Sequence, residues 1–137
     1  MKLLTKDQEE KLAHLGVAVL YLHGSRARGM ARDDSDYDVG VVFVDPQKAY
    51  GTEVYLALYE VLSAVFPDAQ SGPKLDIALL QRANAKLQLD AITYGIVFFE
   101  TDPRLRADYE EAVIKRYDDY RFLEREYREA NMTAFRS

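Results

Sequence analysis

A chain of 137 residues with 30% charged and 48% hydrophobic side chains has the size and balance of one soluble globular domain around a single core. The absence of cysteine excludes disulfides and thiolate metal sites, and two histidines leave little for a zinc site. A net charge of -5 argues against gripping a nucleic-acid backbone. No apolar run reaches membrane-spanning length, and Met1-Lys2-Leu3-Leu4-Thr5-Lys6-Asp7 turns charged too soon for a signal peptide, so a cytoplasmic protein is expected.

In chain order, Thr5-Lys6-Asp7-Gln8 reads as a capping box opening a helix to about Leu15, with Gly16 as its stop. Val17 to Leu22 is a nearly continuous apolar run, as expected of a strand buried on both faces. Gly24 to Gly29 is a turn that can open a short helix. Tyr37 to Val44 is a second buried strand, closed by Asp45-Pro46. Gln47 to Phe66 has helical periodicity, with Val54, Leu58, Val61, Leu62 and Val65 on one stripe and Pro67 as the end. Lys74 to Leu80 alternates as a third strand, with Leu75, Ile77 and Leu79 facing one way and Asp76 the other. Asn84 caps a helix that Gly95 ends, and Ile96 to Phe99 forms a fourth strand. Asp102-Pro103 then opens a final helix to about Ala130, roughly 40 Å long. Helices alternating with strands around a small mixed sheet make an α/β (α+β) single domain.

The charge is uneven. The first hundred residues carry 10 basic and 14 acidic side chains, yet Arg26, Arg28 and Arg32 cluster in one short turn. A local cationic spot in an acidic domain suits a small anionic ligand better than a duplex. Gly24 directly follows a buried strand, where a glycine lets backbone approach a ligand. The Ser25 hydroxyl and the amides after it can donate to phosphate oxygens at a helix N-terminus, and Arg28 adds charge-assisted donors. His23, just before the turn, is placed to touch a ligand but reads first as an ordinary strand-end residue, and His14 reads as structural or exposed.

Residues two apart on a strand share a side, so Asp36 and Asp38 project together. Like charges so placed repel, and a divalent cation with a preference for hard oxygen ligands, Mg²⁺ or Mn²⁺, relieves the conflict. If the third strand is a neighbour, Asp76 supplies a third carboxylate. Taken alone, Asp33-Asp34-Ser35-Asp36 fits a solvated strand-ending turn equally well, and Asp76 fits an edge-facing surface charge. Asp34, Asp36, Asp38 and Asp45 also have the spacing of a calcium loop, but Val39 stands where that loop needs glycine and Asp45 replaces its bidentate glutamate. The specific signal is the combination: strand, Gly-Ser, Arg, Gly, an acidic turn, then paired aspartates entering a second strand.

Leu22-His23-Gly24-Ser25-Arg26-Ala27-Arg28-Gly29, continuing to Ser35-Asp36-Tyr37-Asp38-Val39, resembles the signature of the polymerase-β nucleotidyltransferase superfamily. The spacing of ten residues between Gly24-Ser25 and Asp36-x-Asp38 matches without a gap, and Asp76 falls at the third carboxylate. Small size and a single core make the chain similar to the minimal nucleotidyltransferase (MNT) branch, the antitoxin partners of HEPN-domain toxins. The resemblance implies a polymerase-β-like nucleotidyltransferase fold, with residues 1–100 as catalytic core and 101–137 as a long C-terminal helix. It implies that Gly24, Ser25 and Arg28 bind the nucleotide phosphates. It further implies that Asp36 and Asp38 hold two Mg²⁺ and that Asp76 completes the triad. The reaction implied is in-line attack of a hydroxyl on the α-phosphate of ATP, releasing pyrophosphate. In that branch the acceptor is a tyrosine of the cognate toxin, which is adenylylated and silenced.

Two other functions fit the same motif. A small-molecule nucleotidyltransferase of the aminoglycoside-modifying kind needs a further acceptor-binding domain, which a homodimer could supply. A non-catalytic antitoxin would neutralise its partner by contact alone. In the final helix Leu105, Tyr109, Ala112, Tyr120, Leu123 and Tyr127 fall near helical spacing, with Tyr117 alongside. Its first half is expected to pack on the sheet. Its distal half overruns so small a domain, and its tyrosines suit docking of a protein partner or a second copy.

Overall fold

The computed structural model describes residues 3–30, 35–70 and 74–136; Arg32, Asp33 and Asp34 of the sequence reading lie outside them. The first helix, α1 (Lys6–His14), carries the expected capping box. The Gln8 amide donates to Thr5 Oγ1 (3.1 Å) while Gln8 Oε1 accepts from the Thr5 amide (2.9 Å), so two of the orphan donors of the first turn are satisfied. Leu12 is its one buried residue, and His14 is exposed.

Strand β1 (Val17–His23) follows at once. It sits inside a four-stranded sheet of order β3-β2-β1-β4, with β2 (Tyr37–Phe43), β3 (Leu75–Leu79) and β4 (Ile96–Glu100). β1 runs antiparallel to both neighbours, whereas β3 is parallel to β2. The unbroken apolar run of β1 follows from this position, because helices cover both faces. Leu20, Val39, Val41, Phe43 and Ile77 pack under α1 and α2 (Thr52–Val65), with Leu12, Leu58, Leu62 and Phe66. Ala18, Val19, Tyr21 and Val42 meet α3 (Ala85–Tyr94) and the start of α4 (Pro103–Arg136) on the other face, through Leu80, Ala91, Leu105 and Tyr109.

Three expected elements differ. Gly24 to Gly29 is a turn with no helix. Gln47 to Phe66 is not one helix: a 3-10 turn, Pro46–Tyr50, capped by Asp45, stops at Gly51, and α2 begins after it. Proline at the first position suits this tight opening, while the extended backbone of Gly51 breaks the helical register that side-chain periodicity alone suggested. The last helix runs past Ala130 to Arg136, 34 residues, or about 51 Å at 1.5 Å per residue.

α4 is anchored by polar as well as apolar contacts. The Tyr21 hydroxyl donates to Glu110 Oε1 (2.8 Å), and the Tyr109 hydroxyl donates to Oε1 of buried Gln88 (2.8 Å), whose Nε2 donates to the Ala83 carbonyl (2.8 Å). Among the described residues of this helix Val113, rather than the expected Ala112, is buried. Beyond Tyr117 the helix leaves the body, and Tyr120, Leu123 and Tyr127 are exposed.

Candidate active site

One row of residues crosses the sheet at the end of β1 and the start of β2 and β3. His23 lies opposite Asp38 in the antiparallel register, and Asp38 lies opposite Asp76 in the parallel one. Alternation along each strand turns this row away from α1 and α2, since Val39 and Ile77 take the other face. The row opens on a cavity of about 470 Å³ whose lining includes Gly24, Ser25, Arg28, Asp38, Asp76 and Tyr94.

The turn after β1 is shaped around this row. Gly24 has φ +74° and Gly29 φ +71°, a left-handed conformation that L side chains resist. A Cβ on Gly24 would overlap Asp38 Oδ2 and stand 3.1 Å from its Cγ. The missing side chain is therefore the space the carboxylate occupies. Arg26 closes the turn from outside: its Nε and Nη2 donate to the Ser35 carbonyl (3.0 and 2.7 Å), and its guanidinium stacks 3.8 Å over the Tyr37 ring. Arg28 faces the cavity instead, with its guanidinium 4.1 Å over the Tyr94 ring. The two arginines, alike in sequence, are thus divided into one that fastens the loop and one available to an anion.

The carboxylates are not equivalent. Asp38 and Asp76 adjoin in register; burial first, and then the charges of Asp76 and Asp36, push the Asp38 carboxyl above its ordinary value, against the pull of His23. Asp36 precedes β2, is exposed, and accepts from the Lys74 amide (3.1 Å). The expectation that Asp36 and Asp38 project together and Asp76 joins them is met for Asp38 and Asp76; the Asp36 carboxylate is engaged at the rim. Among the described residues no three His, Cys, Asp or Glu side chains converge as they stand to hold a metal ion. The Asp38–Asp76 pair nevertheless has the chemistry of a hard-cation site: oxygen donors only, and a mutual repulsion that a divalent ion would remove.

His23 lines the same cavity, which favours the ligand-facing alternative over an ordinary strand end. Burial holds its imidazole below the usual histidine value despite nearby Asp38, Asp76 and Asp90, and its Nε2 is buried without a partner among the described residues. Asp90 and Tyr94 of α3, with Leu87, also line the cavity. They were missed because α3 was read only as a helix, although 87, 90 and 94 fall three and four apart and hence on one face. A larger groove of about 730 Å³ between α1 and α2 also holds carboxylates, Asp7, Glu10 and Glu60, but there Asp7 is paired with Lys11 (3.2 Å) and no strand register sets the acids face to face.

Residues 7–104 match the family described as Polymerase beta, Nucleotidyltransferase. The fold is shared with a toxin-antitoxin crystal structure with AMP-PNP, at a TM-score of 0.64 and 19% identity, over 90% of this chain and 98% of that one. A structure of a tri-AMPylated Shewanella oneidensis HEPN toxin in complex with MNT antitoxin gives a TM-score of 0.54 and 20% identity, over 96% and 98% of the two chains. The toxin-antitoxin MntA-HepT gives 0.53 and 19%, over 97% and 100%. At such identities the structural likeness is one of fold. Among curated proteins, no sequence matches. The glycine turn seated against Asp38, the Asp38–Asp76 pair and the family match over most of the chain agree: this protein belongs to the polymerase-beta nucleotidyltransferase family.

Proposed function

We propose that the chain transfers AMP from ATP to a tyrosine hydroxyl of an HEPN-type toxin and so acts as its antitoxin. The observation that carries this reading is the Asp38–Asp76 pair facing Ser25 and Arg28 across one cavity. The likeness to structures of a toxin-antitoxin with AMP-PNP and of a tri-AMPylated HEPN toxin bound to MNT antitoxin supports the choice of nucleotide and acceptor.

Ser25 and the backbone after Gly24 cradle the phosphates from the turn itself. Arg28 pairs with phosphate oxygens, its guanidinium kept at the cavity mouth by Tyr94. Asp38 and Asp76 would hold Mg²⁺, joined by Asp36 once its carboxylate leaves the Lys74 amide. Bound there, magnesium would neutralise charge developing on the transferred phosphoryl group. Asp76 orients the incoming tyrosine hydroxyl, whose oxygen bonds to the α-phosphorus as the bond to pyrophosphate breaks. The hydroxyl proton passes to the Asp76 carboxylate in the same step, and His23 and Asp90 line the same cavity.

The experiment is intact-mass spectrometry of the toxin co-expressed with this chain. The expected result is a toxin heavier by one or more AMP units, lost with Asp38→Asn or Asp76→Asn while the complex still forms. An unmodified toxin that is still neutralised would assign the protein to contact-only inhibition, and transfer of AMP to small hydroxylated molecules alone would assign it to the small-molecule class.

A further inference from the structure

The distal half of α4 carries an exposed face with its own chemistry. Tyr109, Val113, Arg116, Tyr120, Leu123, Tyr127 and Ala130 follow one another at alternating steps of four and three, the spacing of a coiled-coil seam. The first two are spent inside the molecule: Tyr109 packs with β1 and α3, and Val113 is buried. The same stripe then continues into solvent, where Tyr120, Leu123 and Tyr127 are 54%, 65% and 69% exposed. A helix face that begins as core and ends uncovered lacks a neighbour over its second half.

The residues beside the seam decide which neighbour. Asp119 and Glu126 line one side and Glu124 the other, with Glu124 already bridged to Arg128. Arg121 and Arg125 lie further round, away from the seam. No basic residue occupies a flanking position between Tyr117 and Asn131. In a parallel pair of two copies, Asp119 of one would face Glu124 of the other. In an antiparallel pair, acidic flanks again meet acidic flanks. Self-pairing is therefore opposed by the charges that usually select partners in such helices.

We infer that the distal half of α4 is the binding face for a helix of a different protein, one with an apolar stripe flanked by lysine or arginine. This deepens the proposed function by giving the chemistry of the protein partner, and rests on that reading only for the partner's being the acceptor.

The test uses the full chain and two labelled helical peptides, each about three heptads long with leucine in the seam. One has lysine at the flanking positions and the other glutamate. Fluorescence anisotropy without nucleotide should show the lysine peptide binding about tenfold or more tightly than the glutamate one. Leu123→Glu, on an exposed turn, should weaken that binding by about tenfold or more with unchanged far-UV circular dichroism. Joint Asp119→Lys and Glu126→Lys should reverse the preference, and the unliganded chain should sediment as a monomer. A dimer that Leu123→Glu dissociates, equal binding of both peptides, or undiminished binding of a lysine peptide with serine in the seam would each overturn the inference. A chain that discriminates the peptides but transfers no AMP sinks the catalytic reading alone; AMP transfer without discrimination sinks only this one.

Discussion

The two faces of the sheet are built for different work. Beneath α1 and α2 the centre of the packing is apolar: Leu12, Leu20, Val41, Leu58 and Leu62 are fully buried. Beneath α3 and α4 the same sheet carries Tyr21, His23, Asp38 and Asp76, and two of the helices' anchors are hydrogen bonds. Both faces carry apolar packing, but only the second also holds carboxylates that repel each other. Burial and neighbouring charge raise the Asp38 carboxyl there.

The sharpest way to break the comparison is to damage each face in turn. Leu62→Ala, in the closed face, should cost about 2–5 kcal/mol of stability, read by urea denaturation, while nucleotide transfer per folded molecule stays near normal. A large loss of transfer in the folded fraction would erase the distinction. Gly24→Ala should act chiefly on transfer, with a smaller cost in stability from the left-handed backbone at that position. The added methyl drives the Asp38 carboxylate from its place, and a displacement of about 1 Å is expected to lower transfer by about a hundredfold. Crystallographic or NMR evidence that Asp38 is unmoved would contradict the account of that glycine.

Smaller effects sharpen it. Tyr109→Phe removes the hydroxyl that donates to Gln88 Oε1, leaving a buried acceptor unpaired, and should cost about 1–3 kcal/mol in the same assay. The pH dependence of the melting temperature is the mildest test. His23 is held below its ordinary value of 6.5, so the unfolded chain takes up that proton first. Its contribution to stability must fall as pH drops from about 6.5 toward the folded value, and His23→Gln should remove this slope. Asp38 is held above 3.8, so the folded chain binds its proton first. Its contribution is greatest below about 3.8 and is lost as pH rises through the folded value, which Asp38→Asn should abolish. Slopes of the opposite sign would mean that the row across the sheet is wetter than its geometry indicates.

The local determinants of this protein were written in the order of its residues. The capping box at Thr5, the two-sided burial of Val17 to Leu22, the alternation that separates Ile77 from Asp76, and the Asp102-Pro103 start of the last helix all depend on neighbours within a turn or a strand. Periodicity and capping report such neighbours directly. The loop of Gly24 and Ser25 beside Asp38 was legible for the same reason: backbone conformation and spacing are local properties.

What the fold alone decided depends on contacts between distant segments. Strand register places Asp38 against both His23 and Asp76 and leaves Asp36 at the rim with the Lys74 amide. The position of α3 brings Asp90 and Tyr94 to the cavity, and Tyr94 to Arg28. Spacing along a chain says which side of its own element a residue takes. Only the packing of one element on another says what stands across from it, and in this domain a charge's value for chemistry is set by what stands across from it.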